Sequence, residues 1–137
     1  MLANAETKWA VLKVFNELID HIANGRVAET AAAFTDDADV ALFGSEKTDR
    51  AIGAAAVRAH FVAIYARPYR ILFDLQPGKV SAHGNIAWLT ADGTYRLSTG
   101  DDRTPYRLTA VLERRQGTWL WQLFSGSQPV DSPIDGR

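Results

Sequence analysis

The sequence predicts an α+β fold, with helices packed on one face of an antiparallel sheet. Three observations predict it. Apolar residues recur at three- and four-residue spacing through the first half of the 137-residue chain, as on an amphipathic helix. From Tyr69 onward the apolar period falls to two, that of a half-buried strand. Helices first and a meander of long strands after them is the order of a layered α+β domain.

In ETKWAVLKVFNELIDHIANG, Leu12, Phe15, Ile19 and Ile22 form the first stripe, with Trp9 one turn earlier. Asn4 is placed to cap this helix, because a side-chain oxygen there accepts a backbone N–H that the helix leaves orphaned. Asn24-Gly25 is its stop signal. A short second helix is expected over 26–34, with Val27, Ala31 and Phe34 on one side, and Asp36, Asp37 and Asp39 break the pattern. The apolar run DVALFG (39–44) reads as a strand and SEKTDR as a polar loop. Gly53 opens a third helix over 54–66, with Val57, Phe61 and Ile64 as its buried stripe. Pro68 ends it, because its ring pushes Arg67 out of helical space.

Tyr69, Ile71, Phe73 and Leu75 then alternate with Arg70, Leu72, Asp74 and Gln76. Pro77-Gly78 kinks this strand before Val80 and Ala82. His83-Gly84-Asn85 turns the chain into a strand over 86–98, and STGDDRTP leads to strands over 106–115 and 118–127. Gln116-Gly117 reads as a two-residue hairpin loop, which pairs Arg115 with Thr118 and sets the register. In that register Trp119, Trp121, Leu123 and Ser125 lie beside Arg114, Leu112, Ala110 and Leu108 and face the helices. Leu120, Gln122 and Phe124, beside Glu113, Val111 and Thr109, form a mixed outer face suited to a subunit interface. Ser125 stands where the inner face runs out of bulk, leaving room for a helix or for a ligand.

The length is that of one domain, read as 1–129, with a polar, proline-bearing, loose tail over 130–137. There is no cysteine, which removes disulfides, zinc thiolates and cysteine nucleophiles and fits a reducing compartment. Fifteen basic residues nearly balance sixteen acidic ones, so charge gives no reason to expect nucleic acid or an anionic membrane as partner. The start, MLANAETKWAVLK, lacks a basic segment followed by an apolar run, and no stretch is long and apolar enough for a membrane span. A soluble cytoplasmic protein is the expectation.

The segments DDADVALFGSE (36–46), Gly53, AWLTADGT (87–94) and YRLTAVLERRQGTWLWQLFSGSQP (106–129) carry a resemblance. With the three helices before the sheet, they look like SnoaL-like domains of the nuclear transport factor 2-like superfamily. The chain is also similar to the association domain of calcium/calmodulin-dependent protein kinase II. The resemblance spans nearly the whole chain and speaks to fold, because this scaffold carries isomerases, epoxide hydrolases, cyclases, transport adaptors and oligomerising hubs. It implies a conical half-barrel, three N-terminal helices on a curved antiparallel sheet that wraps one cavity. It also implies a homodimer through the outer sheet face. Many SnoaL-like domains place a histidine in the last strand where this chain has Ser125, and serine cannot do imidazole's acid–base work near neutral pH.

Acid–base chemistry in such a cavity needs a carboxylate or imidazole with a shifted pKa. His60, beside Phe61 and one turn from Val57 and Ile64, is either a base at the cavity mouth or a helix-flank histidine bonded to backbone or water. Asp92 interrupts an apolar strand, and parity puts it on the outer face with Trp88, Thr90, Thr94 and Arg96 unless a bulge at Asp92-Gly93 re-aims it. His21 and His83 read as surface residues, and Asp74 as a strand charge or interface ion pair. Tyr65, Tyr95 and Tyr106 offer hydroxyls on apolar frames. Phe43, Trp121 and Leu123 would supply apolar wall, with Ser125 at its end. No histidine pair has metal-ligand spacing, the aspartates fit a turn better than a calcium loop, and no phosphate loop or nucleophile elbow points to a cofactor or covalent chemistry.

The reading these features favour is a small-molecule-binding domain with a mostly apolar cavity for a small organic ligand. One alternative is a cofactor-free isomerase or hydrolase acting on a small hydrophobic substrate, with His60 or Asp92 as base and a tyrosine as donor. The other is an oligomerising or adaptor module with a filled cavity.

Overall fold

The computed structural model describes residues 1–132, so residues 133–137 of the expected loose tail lie outside the described residues. Helix α1 (Ala5–Asn24) starts at Asn4, whose Oδ1 accepts the N–H of Thr7 at 2.8 Å. It stops at Gly25, where φ is 63°, a left-handed conformation that glycine adopts without a Cβ clash. Its buried stripe is Val11, Phe15, Leu18 and Ile22. The predicted stripe shares Phe15 and Ile22 with it, but Leu12 and Ile19 are only half-buried and Trp9 is 68% exposed. Both sets satisfy helical spacing, and only tertiary packing decides which flank turns inward.

Helix α2 (Val27–Ala32) is shorter than expected. Phe34 follows it, buried and bridged to Trp121, with the Trp121 N–H donating to the Ala33 carbonyl at 2.8 Å. Strand β1 (Ala41–Phe43) lies within the expected run. A further strand, β2 (Arg50–Ile52), starts at the last residue of the polar segment read as a loop and runs antiparallel to β1. Helix α3 (Ala54–Tyr65) buries Val57, Phe61 and Ile64 as predicted. Arg70 Nη1 donates to the carbonyls of Tyr65 and Arg67, at 3.2 and 3.4 Å. It thereby satisfies acceptors that the helix end leaves free.

The remaining strands are β3 (Ile71–Pro77), β4 (Ser81–His83), β5 (Ile86–Leu97), β6 (Thr104–Arg115) and β7 (Thr118–Ser127). The sheet runs β2-β1-β7-β6-β5-β3, with β4 also paired to β5, and is open rather than closed. Its pairs are antiparallel with one exception, β1 beside β7. That parallel contact seats the first strand against the last. No helix among the described residues is long and apolar enough to cross a membrane.

The β6–β7 hairpin begins in the predicted register, from Arg115 opposite Thr118 to Leu112 opposite Trp121. It then shifts: Val111 pairs with Leu123 and Ala110 with Phe124, leaving Gln122 as the extra residue of a β-bulge. One extra residue inverts every face beyond it. Phe124, expected outward, therefore faces the helices at 5% exposure, while Leu123 and Ser125, expected inward, turn to the outer face. The bulged side chain is used: Gln122 Oε1 accepts from the Thr35 hydroxyl at 2.8 Å, and Nε2 donates to Asp39 at 3.2 Å. Nearby, Arg115 pairs with both Asp37 and Glu113, tying the hairpin end to the chain between α2 and β1. Trp121 is fully buried at the centre of the core, its ring 5.7 Å from Phe15, 6.1 Å from Phe34 and 5.5 Å from Phe124.

Candidate functional site

Between α3, the segment joining β1 to β2, and the inner face of the sheet lies a cavity of about 120 Å³. An apolar cavity of about 150 Å³ holds benzene, so this one is sized for a single small ring. Leu42, Phe61, Ile64, Ile71, Phe73 and Phe124 supply its apolar wall. Asp49, Glu46, His60, Arg67 and Tyr69 bring polar groups to it.

His60 projects from α3 into this lining, its side chain only 14% exposed. Its Nε2 lies 4.0 Å from Asp49 Oδ1, an electrostatic contact longer than a hydrogen bond. The other Asp49 oxygen accepts the backbone N–H of Glu46 at 3.2 Å, and the Gly44 N–H donates to the Asp49 carbonyl at 2.8 Å. The chain from Gly44 to Asp49 thus folds on itself and holds the carboxylate beside the imidazole. Burial lowers the His60 pKa, with Arg67 acting in the same direction and Asp49 opposing. The imidazole is therefore neutral at pH 7 and keeps a basic nitrogen.

Two tyrosines from the sheet complete the lining. Tyr95 Oη accepts from Gln128 Nε2 at 3.1 Å, and the same amide donates to Ser45 Oγ at 2.8 Å. Tyr106 stands 5.6 Å from Tyr95 and 5.0 Å from Phe73 between ring centroids. Burial, followed by the nearby Asp49 charge and Tyr95, pushes its phenol well above the ordinary tyrosine range. It stays protonated at any physiological pH.

Of the residues singled out from sequence, His60, Tyr95 and Tyr106 meet at this cavity. The others lie elsewhere. Asp92 stays on the outer face, opposite Arg107 in unbroken register, and pairs with it at 2.7 Å. Phe43 flanks the inward Leu42 on the opposite face of β1. Tyr65 ties α3 to α2 through Thr30 Oγ1 at 2.8 Å, and burial raises its phenol to about 12. Trp121 is in the core behind Phe124, and Leu123 and Ser125 face outward beyond the bulge. Asp74, expected on the outer face, is exposed there and lies 3.6 Å from Arg103. No group of three or more metal-ligating side chains is present among the described residues.

Sequence reasoning missed Asp49, Phe124 and Arg67. Asp49 sits in the polar run before the three-residue strand β2, where no periodicity exists to read. Phe124 had a signal: aromatic residues at 119, 121 and 124 step by two and then by three, the spacing of a strand with one skipped residue.

The SnoaL-like domain family matches residues 11–131, and the chain belongs to it. No curated protein matches the sequence. Among solved structures, the chain is similar to an NTF2-like protein of unknown function from Pseudomonas putida KT2440. That pair has 18% identity and a TM-score of 0.82 over 98% of this chain and 94% of the other. A ketosteroid isomerase-like protein from Erwinia carotovora atroseptica matches at 17% identity, TM-score 0.70, over 93% and 99% of the two chains. A protein of unknown function with a cystatin-like fold from Nostoc punctiforme PCC 73102 matches at 18%, TM-score 0.74, over 98% and 99%. At these identities the likeness is one of fold, the open NTF2-like cone.

Proposed function

We propose that this SnoaL-like domain binds a small organic molecule in the cavity between α3 and the inner sheet face. The observation that carries this reading is the cavity itself, ring-sized, its wall divided almost evenly between apolar and polar surface, with His60, Asp49 and Tyr106 grouped among its polar lining. An apolar enclosure with a few convergent polar groups is the usual form of a small-molecule site. The test is titration with methylcyclohexane, followed by the methyl resonances of Leu42, Ile64 and Ile71. Saturable shifts at those methyls are expected. Their absence would favour a filled cone and a module that acts through its surface.

The His60–Asp49 contact favours a second reading, a cofactor-free enzyme in which the neutral imidazole takes a proton from the bound molecule and Asp49 stabilises the imidazolium. One of the similar structures is named as ketosteroid isomerase-like, and proton abstraction beside a carbonyl is the kind of step this pair suits. Catalysed exchange of the α-hydrogens of cyclohexanone for deuterium, lost in His60→Gln, would support it. Exchange at the solvent rate would leave binding alone.

A second copy of the chain is proposed as the partner of the outer sheet face. Ile52, Ala41, Leu123, Val111 and Trp88 follow one another across five neighbouring strands there. Ile52 is 46% and Trp88 40% exposed. An apolar row across a sheet is a surface that association would cover.

A further inference from the structure

We propose that the cavity selects a small organic cation, an alkylammonium group on a single ring, held between the Asp49 carboxylate and the inclined rings of Phe73, Tyr95 and Tyr106. The proposal rests on the small-molecule reading above and names the charge class of the ligand.

Asp49 is the odd member among the paired carboxylates. Asp20, Asp37, Asp74, Asp92 and Glu113 each lie against an arginine. The Asp49 side chain, at 17% exposure, is less exposed than any of them, and it faces His60 instead. Burial keeps that imidazole from carrying a charge at neutral pH. A carboxylate drawn out of water needs a cation or several hydrogen bonds. Asp49 has one, from the Glu46 N–H to Oδ2 at 3.2 Å, and Oδ1 accepts none among the described residues. The chain makes room for this group all the same. A Cβ on Gly44 would stand 2.5 Å from Asp49 Cβ and 2.5 Å from Oδ2. A half-buried carboxylate that lines a cavity and has no cation of its own suits one carried by a ligand.

The rings supply the second half of the site. Phe73, Tyr95 and Tyr106 all line the cavity. Their centroids lie 5.0 to 6.2 Å apart and their planes are inclined by 49° to 88°. Rings so inclined line several sides of a corner, as in the aromatic cages that hold ammonium groups by the negative faces of their π-systems. Among the described residues no lysine or arginine sits over these three rings. After burial, the Asp49 charge is the next cause that pushes the Tyr106 phenol up, so its negative potential reaches the corner. Arg67, also in the lining, is offset by Glu46 and donates to the Tyr69 hydroxyl at 3.4 Å. The volume of about 120 Å³ limits the cation to one ring.

The test titrates the protein and its Asp49→Asn variant at pH 7 with three probes of one ring size: methylcyclohexane, cyclohexylammonium and cyclohexanecarboxylate. The methyl resonances of Leu42, Ile64 and Ile71 report binding. The parent should bind the ammonium most tightly and the carboxylate least. In Asp49→Asn the ammonium is expected to bind on the order of 10- to 100-fold more weakly, the range for a hydrogen bond to a charged group, and methylcyclohexane to bind as before. Tyr95→Leu, which keeps an apolar wall without a ring face, should weaken the ammonium about 3-fold or more and spare methylcyclohexane. Gly44→Ala, whose Cβ displaces the carboxylate without deleting it, should reproduce the selective loss and serves if Asp49→Asn fails to fold. Equal weakening of both probes in Asp49→Asn, no weakening of the ammonium, or tighter binding of the carboxylate by the parent overturns the proposal while leaving a binding cavity in place. Failure of all three probes to bind the parent removes the cavity reading and this inference together.

Discussion

Phe124 stands opposite Ala110 on the inner face of the sheet, and Leu123 opposite Val111 on the outer. The two neighbours should therefore respond differently to truncation. Phe124→Ala opens a void beside Trp121 and is expected to cost about 3–5 kcal/mol. Leu123→Ala, half-buried on the other face, should cost less than half of that. Urea denaturation of both variants checks the ordering, and equal costs would put the bulge elsewhere.

The outer row leads to a test of association. Leu123→Asp and Trp88→Glu place charges within it, and each should shift a dimer to monomer in sedimentation with the circular dichroism spectrum kept. Phe124→Asp should instead lose the fold, since its side chain has no water to reach. A chain that sediments as a monomer before any substitution would dismiss the homodimer.

His60 should leave a mark on stability against pH. Its pKa is lowered in the folded protein, mainly by burial, so the unfolded chain binds the proton more readily. Stability from this group is then complete above the unfolded value of about 6.5 and falls as pH drops from there through the folded pKa. In His60→Gln that part of the slope should vanish, leaving the acid limb set by carboxylates. An unchanged slope between pH 7 and 5 would mean that the ring is solvated in the folded state.

Gly93 tests how closely β3 and β5 approach. A Cβ there would lie 2.0 Å from the Asp74 backbone carbonyl oxygen, whereas Gly100 has nothing within 4 Å. Backbone cannot swing aside as a side chain can. Gly93→Ala is expected to cost about 1–3 kcal/mol or more, and Gly100→Ala to stay within about 0.5 kcal/mol of the parent. Thermal unfolding of the pair reads the difference.

Much of the architecture was legible in sequence because it is written in periods. The α3 stripe of Val57, Phe61 and Ile64, the Asn4 cap, the Gly25 stop and the start of the β6–β7 hairpin are local features with local causes. What was not legible depends on partners distant in the chain. Val11 and Leu18 replace Leu12 and Ile19 because of what the helix lands on. β2 exists because β1 is there to pair with it. The site shows the same division. His60 and the tyrosines stand out by type and pattern, but the carboxylate beside His60 comes from a polar run with no period. The bulge at Gln122 then exchanges Leu123 and Ser125 for Phe124 on the inner wall. A single skipped residue in a strand has no large compositional signature, yet it reverses everything that follows.

The parallel seating of β1 beside β7 sets an order of assembly. Leu42 and Phe124 face the same cavity from strands that are neighbours in space and about eighty residues apart in sequence. The rings of Phe15 and Phe34, near the start of the chain, find Trp121 only when β7 arrives. A nascent chain emerging from the ribosome therefore carries an uncovered aromatic face through most of its synthesis, and the enclosure closes with the last strand. Such long-range closure slows folding and exposes the half-made chain to association, a hazard that falls on the growing polypeptide and ends with the docking of its final hairpin.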